Sequence, residues 1–124
     1  MPRPRRLSRR IALLGAGALA AAPRPARAHA ILESSDPPAK GVVAAGRVAF
    51  RLKFNSRIDA ERSVLTLVRP DKSRAPLGVA AGPTPDVLTA AADLAPGPHA
   101  LRWQVLAEDG HITRGEFPFS ATGR

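Results

Sequence analysis

The sequence predicts an all-β domain, built as an antiparallel sandwich or Greek-key barrel of roughly six to eight short strands. Three observations predict this fold. Apolar and polar residues alternate with a period of two in several short stretches, as in strands that bury one face. Turn residues interrupt these stretches at intervals of roughly 8–12 residues. Finally, 13 prolines disfavour long helices, and no stretch has the spacing of an amphipathic helix of useful length.

The first predicted strands lie between residues 31 and 79. The clearest is Val48–Phe54, where apolar residues at even positions alternate with small or basic ones. Before it, Ile31–Ser35 is a short strand that Pro37-Pro38 stops. After it, Ser63–Val68 is a β-branched and leucine-rich strand, and Ala75–Val79 is a weak edge strand.

The remaining strands lead to a closing hairpin. Val87–Thr89 is a short strand, and two longer strands span His99–Ala107 and about Ile112 to Thr122. Asp109-Gly110 lies between the last two and is a common hairpin turn signal. The residues expected to face inward are Leu101, Trp103 and Val105 in the first long strand and Gly115, Phe117 and Phe119 in the second.

The first 28 residues have the three-part pattern of a secretory signal peptide. A basic segment precedes a short apolar run at 11–22, and Ala26-Arg27-Ala28 supplies small residues before the predicted cut. Ser8–Leu13 also resembles a twin-arginine export motif. A membrane anchor or a basic tail is the alternative, although the apolar run is shorter than the roughly 20 residues that span a bilayer. We therefore expect a signal peptide at 1–28 and an exported domain at 29–124.

Charge and composition exclude several functions for that domain. The net charge of +9 comes mostly from seven arginines in residues 1–28, whereas residues 29–124 hold 12 Lys and Arg against 10 Asp and Glu. A domain so nearly balanced has no obvious face for nucleic acid. Without cysteine it has no disulfide, thiolate zinc site or catalytic thiol. No catalytic serine motif or phosphate-binding glycine loop is present.

Three residues predict a metal site. Cleavage after Ala28 would give His29 a free α-amino group beside its imidazole, and these two nitrogens can chelate one ion. In Asp109-Gly110-His111, the carboxylate and the second imidazole would project to the same side of an extended chain. This nitrogen and oxygen donor set suits Cu(II), with Zn(II) or Ni(II) as weaker competitors.

Simpler interpretations exist for the same residues. Asp109-Gly110 is explained by turn chemistry alone, and an exposed histidine beside a turn needs no metal. A cut after Ala30 would remove His29 altogether. His99 shares its face with Leu101 and Trp103, so we predict that it is a structural, partly buried residue.

With these residues identified, the chain resembles the CopC/PcoC family of periplasmic copper-binding proteins over nearly all of residues 29–124. The opening, 29–41, is similar to the family's His-Ala-x-Leu…Ser-x-Pro-Ala-x-Gly pattern. Residues 48–54 resemble its first long strand. The segments 94–103 and 107–119, which include Ala-Glu-Asp-Gly-His, resemble its most characteristic block.

The resemblance implies a seven-stranded Greek-key sandwich, cupredoxin- or immunoglobulin-like, that holds Cu(II). It implies as ligands the mature N-terminal histidine, through its amine and imidazole, and the Asp and His of the closing block, which match His29, Asp109 and His111. It further implies a periplasmic copper carrier or buffer rather than an enzyme. A membrane copper transporter of the CopD type is then the expected partner, and we expect the carrier to be a monomer.

The sequence departs from the family pattern in three ways. The only methionine is Met1, so the mature chain lacks the thioether Cu(I) site that some members carry. Ser56 stands where some members place a glutamate near the copper, and it could at most reach a bound water. His99 occupies what is usually a tyrosine position.

Two other functions fit parts of the sequence. An N-terminal amine and imidazole also hold copper in copper-dependent polysaccharide oxygenases, but those enzymes need a broad aromatic substrate face. This chain has one Trp, no Tyr and four Phe, mostly on inward positions. A metal-free immunoglobulin-like interaction module, in which Asp109-Gly110 is only a turn, is the third possibility.

Overall fold

The computed structural model describes residues 30–123, and the predicted signal peptide at 1–28 and His29 lie outside them. The described chain forms strands and one short 3-10 turn at Ala60–Arg62. The strands are β1 Leu32–Asp36, β2 Val42–Ala44, β3 Gly46–Phe54, β4 Val64–Val68, β5 Arg74–Leu77, β6 Ala80–Ala81, β7 Val87–Leu94, β8 Gly97–Leu106 and β9 Ile112–Thr122.

These strands form two sheets, in the orders β1-β3-β7-β6 and β2-β9-β8-β4-β5. The chain crosses from one sheet to the other after β1, β2, β3, β5 and β7. The predicted all-β Greek-key sandwich is confirmed. No helix within residues 30–123 is long and apolar enough to cross a membrane.

The core lies between the sheets because the predicted alternation buries one face of each strand. In β3 the side chains of Phe50, Leu52 and Phe54 are buried, and the residues between them are exposed. Phe50 meets Phe119 of the other sheet edge-to-face, with ring centroids 5.7 Å apart. Each such fully buried side chain stabilises the fold by about 1.5–3 kcal/mol. The inward residues predicted for β8 and β9 all lie on this side.

Three strands differ from the prediction, among them the two-residue strand β6, which was not predicted. Val87–Thr89 is only the start of β7, which continues to Leu94 because every residue from Val87 to Leu94 aligns with a residue of β3. Alanine has a weak strand preference, so this extent depends on the partner strand. β2 was not predicted, and its pairing with β9 is parallel, which makes it an exception in an otherwise antiparallel fold.

His99 has the structural position predicted for it. Its side chain is only 5% exposed. The ring stacks on Phe119 with centroids 5.4 Å apart, and its Nδ1 lies 2.9 Å from the carbonyl oxygen of Gly97. A buried imidazole held in this way serves the core.

Candidate metal centre

The candidate centre is built on the loop that joins β8 to β9. The backbone N–H of Ala107 donates to the carbonyl of His111 at 2.9 Å, and the N–H of Gly110 donates to the carbonyl of Ala107 at 2.9 Å. Gly110 has a φ of +91°, a conformation that side chains disfavour. A Cβ at this glycine would meet no atom within 4 Å, so crowding does not explain why glycine stands here. The reason is the backbone angle.

This loop brings Asp109 and His111 together. The N–H of His111 donates to Asp109 Oδ1 at 3.0 Å, an Asx turn, and His111 Nδ1 lies 3.3 Å from Asp109 Oδ2. The two side chains therefore lie close together, as predicted, but the predicted cause of this proximity was wrong. They converge through a turn, and not through the shared face of an extended strand. Their side chains are 40% and 55% exposed, so an ion can approach them from solvent.

The start of the described chain is anchored beside this loop. Ala30 is buried, and its carbonyl accepts a 2.9 Å hydrogen bond from the hydroxyl of Thr113, two residues after His111. Ile31 exchanges two bonds with Asn55: its N–H donates to Asn55 Oδ1 at 2.8 Å, and its carbonyl accepts from the Asn55 N–H at 3.0 Å. Sequence reasoning did not identify Asn55 or Thr113, because nothing in the local pattern distinguishes them from other polar residues.

The connection after β3 supports the loop from the other side. The N–H of Glu108 donates to the carbonyl of Arg57 at 3.0 Å, and the N–H of Asp59 donates to the carbonyl of Leu106 at 2.9 Å. Arg57 and Glu108 also form an exposed ion pair at 3.4 Å. Such a pair contributes little stability, so the backbone bonds fix the loop.

Ser56 lies at this support and faces the loop. Together with Ala107, Glu108 and Asp109 it lines a cavity of about 310 Å³. Its Oγ is buried and has no hydrogen-bond partner within residues 30–123. A buried hydroxyl without a partner is rare, because it loses its hydrogen bonds to water. This atom is therefore a candidate contact for something that enters the cavity.

The described residues alone do not complete a metal site. Within residues 30–123 no group of three or more His, Asp or Glu side chains lies close enough to hold an ion. Asp109 and His111 supply one carboxylate and one imidazole. The third predicted residue, His29, lies outside the described residues, next to the anchored Ala30.

Known proteins resemble this chain in both sequence and fold. A sequence model of the CopC domain matches residues 32–122. The structure superposes on CopC from Methylosinus trichosporium OB3b with a TM-score of 0.71 and 27% identity, covering 77% of this chain and 96% of that one. PcoC, a methionine-rich copper resistance protein from Escherichia coli, gives a TM-score of 0.65 and 26% identity, covering 77% and 100%. A comparison with curated protein sequences gives no significant match.

Proposed function

Because the chain belongs to the CopC family of copper-binding resistance proteins, which are not enzymes, we propose that it is a Cu(II) carrier or buffer of the periplasm. Copper is its cargo. The proposed ligands are the α-amino group and imidazole of His29 and the side chains of Asp109 and His111. One observation carries the proposal: Ala30 is hydrogen-bonded to Thr113, beside the loop that brings Asp109 and His111 together.

Covalent geometry supports the inclusion of His29. Consecutive Cα atoms are about 3.8 Å apart across a trans peptide, so His29 starts within one residue of an anchored position. Its side chain and amine need no long loop to close before they reach the Asp109–His111 pair. The entropic cost of assembling the site is therefore small.

The donor chemistry supports Cu(II) as the ion. One amine, two imidazoles and one carboxylate form a set of nitrogen and oxygen donors, which favours Cu(II) among the divalent ions. Cu(I) prefers thioether and thiolate ligands, and residues 29–124 contain neither methionine nor cysteine. In this respect the chain differs from PcoC, which is described as methionine-rich.

Ser56 supports a role for solvent at the same site. Its buried hydroxyl faces the cavity next to Asp109 and has no partner within the described residues. A hydroxyl is too weak a ligand to replace a carboxylate, but it hydrogen-bonds well to water. We infer that Ser56 holds a water molecule in the open position of the copper site.

Export and delivery complete the proposal. Residues 1–28 act as a signal peptide, by the twin-arginine or the general secretory route, and cleavage after Ala28 frees the amine of His29. The monomeric carrier then exchanges copper with a membrane transporter of the CopD type.

The experiment that tests this function is a Cu(II) titration of the protein that begins at His29. His29→Ala, Asp109→Asn and His111→Ala should each weaken binding, by about tenfold or more for a lost ligand. The sharpest variant adds one glycine before His29, because it keeps all three side chains and converts the amine into an amide. Unchanged affinity in the extended protein would refute the proposed ligand set. Mass spectrometry of the exported protein checks that His29 is its first residue.

A further inference from the structure

The outer face of the five-stranded sheet carries a groove that the copper site does not use. It is a cavity of about 440 Å³ that lies over β4, β5, β8 and β9. Its polar lining consists of Arg74, Arg102, Arg114, Thr66, Gln104 and Glu116. We call it the arginine groove.

The three arginines form a diagonal row across the sheet. Arg114 lies on β9 opposite Gln104 of β8, and Arg102 lies two residues before Gln104 on the same outward face. Arg74 lies further along the diagonal on β5, opposite Val68 of β4. Diagonal neighbours on one face of a sheet are about 7–8 Å apart. Arg114 and Arg102 are neighbours of this kind, and their spacing is close to the repeat of about 6.6 Å between alternate residues of an extended chain. Arg74 lies farther from Arg102, because β4 separates β8 from β5.

The charges of the groove are not balanced. Arg102 forms an ion pair with Glu116 at 3.4 Å. Arg114 donates through Nε to Gln104 Oε1 at 2.7 Å, and this neutral amide orients the guanidinium without cancelling its charge. Three cations thus share the groove with one carboxylate. It carries an excess of positive charge although the whole domain, residues 29–124, is nearly neutral.

The opposite sheet provides a contrast. On its outer face Arg47 pairs with Asp93 at 3.6 Å, and Lys53 pairs with both Glu33 and Asp86 at 3.3 and 2.9 Å. Arg47 and Lys53 therefore each have at least one carboxylate partner, whereas in the arginine groove one carboxylate is shared among three arginines.

Exposed apolar side chains lie beside the groove at the end nearest the copper site. Val64 is 45% exposed and lines the groove, and Ile112, the first residue of β9, is 51% exposed. Ile112 lies on the same face of β9 as Arg114 and directly follows His111. A partner bound here would lie next to the proposed copper ligands.

We propose that the arginine groove docks an extended acidic segment of a partner protein. Carboxylates on alternate residues of such a segment suit the step from Arg114 to Arg102, and an acid further along the segment suits Arg74. Arginine binds carboxylates through paired hydrogen bonds. Glu116 lies within the groove, so a small anion would meet repulsion there, whereas an extended segment places acids on either side of it. A flat anionic membrane would meet the same carboxylate and would not fill the concave surface. The proposal does not rest on copper binding.

The test is an NMR titration of the copper-free, isotope-labelled protein with the blocked hexapeptide Glu-Thr-Glu-Thr-Glu-Thr. Shifts should appear at the backbone amides of Val64, Thr66, Gln104 and Glu116, and they should weaken as salt is added. The double variant Arg74→Gln, Arg114→Gln should bind at least about tenfold more weakly, since it loses two charge-assisted contacts. The single variants Arg74→Gln and Arg114→Gln should each bind more weakly as well. Arg51→Gln, on the exposed outer face of the other sheet, matches each of these single variants in net charge and should bind nearly normally.

Four outcomes would overturn the proposal. The first is an equal loss of affinity in Arg51→Gln and in either groove variant, which would indicate general electrostatics. The second is an equal response to the peptide with Gln in place of Glu. The third is the same shifts with inorganic phosphate, which would identify a small-anion site. The last is binding to phosphatidylglycerol vesicles through these arginines without binding to the peptide.

Discussion

The hydroxyl of Thr113 donates a 2.9 Å hydrogen bond to the carbonyl oxygen of Ala30, although the two residues are 83 positions apart in the sequence. This bond joins the start of the described chain to the strand that leaves the Asp109–His111 loop. If His29 is a copper ligand as proposed, this bond holds the residue next to it beside Asp109 and His111, and it would support the site without touching the metal.

Thr113→Val should weaken Cu(II) binding because it removes the hydrogen bond to Ala30. Valine has nearly the same shape as threonine, so packing is little changed. The substitution leaves the buried carbonyl of Ala30 without its hydroxyl partner, which should cost about 1–3 kcal/mol of stability. We expect a lower melting temperature and a several-fold loss of Cu(II) affinity in calorimetry. Thr89→Val is the matched control, since its hydroxyl also donates to a backbone carbonyl, that of Ala80, on the other sheet. Equal copper affinities in the two variants would contradict the anchoring role.

Gly115→Ala should destabilise the fold. Gly115 lies opposite Trp103, and a Cβ at this position would overlap the indole ring, with Trp103 Cε2 at only 2.6 Å. The ring packs edge-to-face on Phe54 with centroids 5.3 Å apart, so a shift of the indole would disturb this contact. Overpacking of this kind costs about 1–3 kcal/mol. Gly78→Ala is the control, since a Cβ there meets no atom within 4 Å. Chemical denaturation that gives the two variants the same stability would show that the ring moves aside freely.

Asp86→Asn should lower stability at neutral pH but not in strong acid. Hydrogen bonds from the Thr84 hydroxyl and then from Lys53 lower the pKa of Asp86 below its ordinary value of 3.8. A lowered pKa in the folded state stabilises the protein above the ordinary value, and this contribution is lost as the pH falls through the folded value. The melting temperatures of the two proteins should therefore differ at about pH 7 and converge in strong acid, below the lowered pKa of Asp86. Thr84→Val keeps the carboxylate and should show a smaller effect of the same sign. A constant difference down to the lowest pH would contradict this account.

Copper binding should have its own pH dependence. An α-amino group and an imidazole bind metal only without their protons, and free groups of these types titrate at about 7.7–8.0 and 6.5. Protons therefore compete with copper, and we expect the affinity to fall steeply below about pH 6. Equal affinities at pH values of about 5 and 8 would contradict the proposed ligands.

Ser56→Glu should strengthen Cu(II) binding and weaken the copper-free fold. The new carboxylate would enter the cavity that Asp109 lines, where it adds a ligand but also meets a like charge. We expect a lower melting temperature without copper and a larger rise on adding it. Ser56→Ala removes only the hydroxyl and should leave the copper-free stability nearly unchanged. An equal response of the two variants to copper would show that the cavity does not face the ion.

The fold was predictable where the signal is local. Val48–Phe54 alternates so regularly that its buried face follows from the sequence. Asp109-Gly110 directly marks the turn between β8 and β9. The length of β7 and the existence of β2 depend instead on partner strands, which single-sequence patterns do not specify.

The candidate site likewise has one part that local sequence signals predict and another that depends on the packed fold. Asp109 and His111 are near each other in sequence, so their neighbourhood could be predicted. Asn55 and Thr113 bind the chain near Ala30 only after the sheets have packed, so no local pattern identifies them. Only their hydrogen bonds in the folded protein identify them.

The lengths of the outermost strands have a consequence for self-association. β2 has three residues and β6 has two, β5 contains Pro76, and the pairing of β1 with β3 is shifted between Leu32 and Ser34. Each sheet therefore ends in a strand that is short, irregular or unable to donate a full row of hydrogen bonds. Such borders are poor templates for adding a strand from another molecule. Edge-to-edge association of folded molecules is therefore disfavoured at all four of these borders.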